Sequence, residues 1–69
     1  MADGPLTDAQ IIAAAYADRV TELFKVFAEA VATGEPDRDA IVRFKRGLVG
    51  AQRVRDQALA VAKEVAETA

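Results

Sequence analysis

The sequence predicts an all-α protein, a two-helix antiparallel αα-hairpin with helices over about 8–33 and 37–67, completing a four-helix bundle by dimerisation or by packing on a partner. Three observations predict it. Apolar residues recur at steps of three and four along two long segments. A Gly34-Glu35-Pro36 stop separates those segments. Nowhere does the alternation of a half-buried strand compete.

The first helix opens at Thr7-Asp8-Ala9-Gln10, a capping box in which the Thr7 hydroxyl accepts from the Gln10 amide and the Gln10 side chain accepts from the Thr7 amide. Leu6 precedes the cap and would staple to Ile11, and Asp8 suits the positive end of the helix dipole. Residues 1–6 are then a short tail and 7–69 one domain. Ile12, Tyr16, Val20, Leu23, Phe27 and Ala30 share one face, which Ala13, Phe24 and Val31 widen. Asp18, Glu22, Lys25 and Glu29 line the opposite side. Gly34 supplies the left-handed residue that closes the helix, and Pro36 prevents its continuation.

Pro36, Asp37 and Asp39 start the second helix, proline and acids both being favoured near a helix N-terminus. Its seam is Ile41, Phe44, Leu48, Ala51, Arg55, Ala58, Ala62 and Val65, a heptad spacing. The connection is about three residues, so the helices must be antiparallel neighbours.

Thirty-six of the 69 residues are apolar, but 16 of those are alanine, which leaves 20 side chains of any size for a core. A chain this short buries only about 60% of its unfolded surface. Disulfides and histidine-bound metals, the usual staples of small scaffolds, are closed to a chain without Cys or His. A two-helix layer also leaves half of each apolar stripe wet. The sequence therefore predicts a working surface of Tyr16, Val20, Leu23, Phe24, Phe27, Val31, Phe44, Leu48, Val54 and Leu59, covered by a second copy or by a larger helical protein.

Helix two carries Gly47 and Gly50, each costing about 1 kcal/mol against alanine in a helix interior. With Ala51 and Ala58 they form a small-residue flank suited to close helix packing, a hinge or simple tolerance being the other readings. Arg55 falls on the seam. It either snorkels outward along its stem or pairs with an acid, position 55 lying opposite about residue 15 with Asp18 within reach.

Charge is unevenly spread. Residues 1–37 carry net −5 and residues 38–69 net +3, for −2 overall. The plain reading is attraction between two antiparallel segments. The sharper one is a stripe of Arg43, Arg46 and Arg53, with Arg55 nearby, offered to an acidic partner or to phosphates. RNA binding by a dimeric hairpin is the alternative function this stripe suggests. The stripe has no interleaved aromatic for base stacking, and the pI near 4.9 lies far below the basic range of such modules.

Catalysis finds little to work with: His, Cys and Ser are missing, and no threonine or tyrosine has a recognisable base beside it. Asp37-Arg38-Asp39 lacks the glycine and the terminal glutamate of a calcium loop. The expectation is a non-enzymatic interaction module without cofactor or metal: an adaptor, a small chaperone or an assembly subunit. The N-terminal segment has no signal-peptide core, and the longest apolar run, Ile11 to Ala17, is far below the ~20 residues of a membrane span. The default expectation is the cytoplasm, with export lacking a cleaved signal as the other route.

The layout, with its first helix ending at Ala32-Thr33-Gly34-Glu35-Pro36-Asp37 and Phe44 ten residues after the glycine, resembles the helical hairpins of type III secretion, both needle subunits and their small co-chaperones. To a similar degree it resembles the RNA-binding hairpins of plasmid copy control. The first resemblance implies a filament or secretion-apparatus subunit. The chain lacks the tryptophan of needle subunits, and no functional residue transfers from either group.

Overall fold

A computed structural model of the chain describes residues 5–68. Two helices, α1 (Asp8–Ala32) and α2 (Asp37–Thr68), pack antiparallel against each other, and the described residues form no strand. The expected boundaries hold to within a residue.

The caps follow from local chemistry. At the start of α1 the Gln10 amide donates to Thr7 Oγ1 at 3.1 Å, and the Thr7 amide donates to Gln10 Oε1 at 2.8 Å. Two otherwise orphaned donors are satisfied reciprocally. Leu6 and Ile11 both remain more than half exposed, so the expected staple shields neither from water. At the other end Gly34 adopts φ +93°, where a side chain is strained. Its amide donates to the Val31 carbonyl at 3.2 Å, and the Glu35 amide donates to the Ala30 carbonyl at 3.0 Å. These are the two bonds of a Schellman ending. The Pro36 carbonyl then accepts from the Asp39 and Ala40 amides and begins α2.

Beside this turn lie Ala30 and Ala40, the two buried residues among those described, 9% and 1% exposed. Ala40 replaces Ile41 as the first seam residue: the small side chain lets the backbones approach, and Ile41 turns out to solvent at 46% exposure. Val65, the last expected seam residue, is also exposed. From the turn outward the contacts run Phe27 on Phe44, Leu23 on Gly47 and Tyr16 on Arg55. This register sets Asp8 level with about residue 63, at one residue down for each residue up. The last turn of α2 therefore runs past the start of α1.

The result is a slab with extents of 51 × 27 × 10 Å, a single helix layer deep. Its radius of gyration is 16.0 Å, against about 11 Å for a compact domain of this length. No helix among the described residues is long and apolar enough to cross a membrane.

Candidate interaction surface

A single layer has two faces, and both are apolar. Of the ten residues expected at the working surface, seven (Tyr16, Val20, Leu23, Phe27, Phe44, Leu48 and Leu59) are half-buried in the seam between α1 and α2. They are the hairpin's own core. Phe27 and Phe44 stack there with ring centroids 4.8 Å apart and planes 19° from parallel, an offset arrangement that the ring quadrupoles favour. The other three are exposed: Phe24 and Val31 share one groove, and Val54 lines another.

Val54 belongs to the first face. An open groove of about 530 Å³ lies there, lined by Ile12, Ala15, Tyr16, Gly50, Val54 and Ala58 among others. A second groove of about 810 Å³ continues it towards the turn, sharing Arg19 and Gly47 and adding Glu22, Val26, Arg43 and Arg46. Phe24 and Val31 line a smaller groove of about 380 Å³ with Ala28 and Ile41. At 100° per residue, Phe24 and Ala28 lie roughly opposite Ala15 and Val26 on α1, which places this groove on the other face. Ile11, Val26, Val61 and Val65 are exposed apolar residues that the expected surface omitted. Val54, Val61 and Val65 repeat at helical spacing, a signal present in the sequence, where Val54 stands on the expected surface and Val65 on the expected seam.

The two glycines of α2 differ. A β-carbon at Gly47 would stand 2.6 Å from Leu23 Cδ2, so Gly47 serves close packing of α1 on α2. A β-carbon at Gly50 would meet nothing within 4 Å. Gly50 is exposed and Ala51 and Ala58 are half-buried. The close-packing flank is thus used at one end and open at the other. α2 runs unbroken through both glycines, so neither ends the helix.

The arginines separate as well. Arg43 Nη1 lies 2.6 Å from Oε2 of Glu35, an oxygen closed off from solvent, and the contact joins α2 to the turn. This close contact, and then the charge of Glu35, raises the Arg43 pKa above its ordinary value. Arg55 does not reach Asp18. Its guanidinium carbon sits 4.6 Å from the centroid of the Tyr16 ring, while Nε and Nη2 each lie 3.0 Å from Asp56 Oδ1. The aromatic face two residues before Asp18 takes the cation, and the neighbouring acid on α2 accepts from the guanidinium. Arg46 and Arg53 are exposed and make no ion pair among the described residues. Beyond these, the ion pairs comprise only Arg19–Glu22 within α1, so no described ion pair links α1 to α2. The opposite charges of the two halves are therefore not joined by ion pairs across the seam among the described residues.

Among the described residues no three carboxylates converge on a point that could hold a cation. No family model matches the chain, and no curated protein and no solved structure matches it.

Proposed function

We propose that the protein is a helical interaction module, a flat hairpin whose activity is to lay an apolar helix face on other helices. The observation that carries this reading is the amount of surface left uncovered. The chain exposes 5582 Å², whereas a folded monomer of 7.3 kDa exposes about 4,200 Å². Among the described residues eleven large hydrophobic side chains are exposed, and five of them line the grooves, Val26 and Val54 on one face and Phe24, Val31 and Ile41 on the other. Contiguous apolar patches of this kind mark interaction sites on soluble proteins.

The energetic argument points the same way. Two buried alanines and a half-buried seam among the described residues are little core for a chain of 69. Each half-exposed valine or isoleucine forfeits roughly 1 kcal/mol of burial, and domains are stable by only about 5–15 kcal/mol. Folding and association are then coupled. The coupling is tested by far-ultraviolet circular dichroism of thermal unfolding between about 1 and about 100 µM, where association makes the midpoint depend on concentration. A fully helical chain, monomeric by sedimentation and with one melting temperature across that range, would overturn the reading.

A further inference from the structure

Resting on that reading, we propose that the occupant of the first face is a second copy of this chain, stacked in a two-fold dimer whose turns lie at opposite ends, so that α2 runs antiparallel to α2 of the second copy. Three features of the molecule converge on it.

The first is area. The excess over a compact monomer is about 1,400 Å² per chain, while a stable interface removes about 800 Å² from each partner. One face of a second hairpin supplies that amount.

The second is shape. Val54, Ala58, Val61 and Val65 recur at steps of four, three and four on α2. Val54, Val61 and Val65 are 68%, 57% and 57% exposed. Val65 lies where α2 runs past the start of α1, and Val61, level with the first turn of α1, still stays exposed in the hairpin. An antiparallel second α2 covers them with the stretch around Gly47 and Gly50, where the open position at Gly50 admits a close neighbour. The patch is self-complementary, as a two-fold interface requires.

The third is charge, and it sets the orientation. From Arg43 to Arg55, α2 carries five bases and no acid; from Asp56 to Thr68 it carries Asp56, Glu64 and Glu67 against Lys63. Arg46 and Glu64 are 18 residues apart, five full turns, and so occupy the same edge of α2. Neither has an ion-pair partner within the described chain. Antiparallel stacking about a point near residue 55 sets Arg46 against Glu64 of the second copy, twice by symmetry. Stacking with both turns at one end would instead crowd Glu64, Glu67 and Asp8 of both copies together at the other.

The experiment is charge reversal and its repair, read by sedimentation equilibrium with helicity as the control for folding. Arg46→Glu alone and Glu64→Arg alone each weaken the dimer about tenfold, because each replaces two attractions by two repulsions. The double variant Arg46→Glu/Glu64→Arg, and an equimolar mixture of the two single variants, return to within about threefold of the original affinity. The chain has no cysteine, so Val54→Cys gives a second, independent readout: it oxidises to a disulfide-linked dimer faster than Phe24→Cys on the other face. Self-association that is indifferent to the single reversals, or not restored by the pair, overturns this dimer and leaves the interaction module standing. A chain that stays monomeric and poorly helical overturns the second copy in favour of another helical partner. A stable helical monomer overturns both.

Discussion

Leu23 and Gly47 interlock: a methyl of Leu23 fills the place where a β-carbon on residue 47 would stand, 2.6 Å away. A glycine in mid-helix costs about 1 kcal/mol, and here it is offset by the approach of α1. Gly47→Ala gains that propensity but forces Leu23 aside, and overpacking of this kind costs about 1–3 kcal/mol. The net expectation is a loss of about 1 kcal/mol in chemical denaturation, turning into a gain in the Leu23→Ala background where the space is free. Gly50→Ala meets no atom, and stabilises the single hairpin by about 0.5–1 kcal/mol in dilute solution.

Arg55 owes its place to Tyr16 rather than to Asp18. A partly exposed cation on an aromatic face contributes about 0.5–1 kcal/mol. Arg55→Met keeps the packed stem and removes the charge; combined with Tyr16→Leu in a double-mutant cycle it gives a coupling of that size. Asp18→Asn leaves the melting temperature within about one degree, since exposed charges without partners contribute little. A larger fall for Asp18→Asn than for Arg55→Met would restore the pairing that the sequence suggested.

How much of this was legible beforehand divides along a physical line. The capping box at Thr7–Gln10, the glycine ending at 34 and the α1 seam from Ile12 to Ala30 are local, set by hydrogen bonds and by a 3.6-residue period, and all of them stand in the structure. What periodicity could not resolve is which of two neighbouring apolar residues faces inward when the helices draw close. Ala40 displaces Ile41 because close approach favours the smaller side chain, a choice made by two helices together. The residues of the expected working surface divide between seam and faces for a related reason. Phe24 and Val54 read as extensions of single-helix stripes, but two stripes joined in a flat layer have their outer margins on opposite faces. Arg55 belongs to the same class, since its partner is set by side-chain reach across the seam.

The turn is the most demanding backbone position. Gly34 sits at φ +93° with no atom near its missing side chain, so a substitution there is penalised by conformation alone. Gly34→Ala costs about 1 kcal/mol, and Gly34→Asn less, because asparagine tolerates the left-handed region. Thr7→Ala at the other end of α1 costs about 1 kcal/mol through loss of the cap. The two effects add, being far apart and without shared partners. Equilibrium unfolding of the single and double variants measures this directly, and Gly34→Val, branched at the β-carbon, is the worst of the series.

Separating the seam from the surface is the sharpest use of the structure. Leu23 and Val54 are both apolar and both on the expected working surface, yet Leu23 lies between the helices and Val54 is exposed in a groove. Leu23→Asp puts a carboxylate against Gly47 in a half-buried position, where it loses the leucine's packing between the helices and part of its own hydration, and a hairpin with so little core cannot absorb that loss. Helicity is then lost at every concentration. Val54→Asp puts its carboxylate in water while the chain is single, so α2 keeps its contacts with α1 and only association suffers, by about tenfold or more if Val54 is covered in the assembly. Circular dichroism and sedimentation on the same samples distinguish the two outcomes. Equal losses of helicity from Leu23→Asp and Val54→Asp at high dilution would mean that Val54 supports the hairpin itself, and the division between core and surface drawn along α2 would have to move.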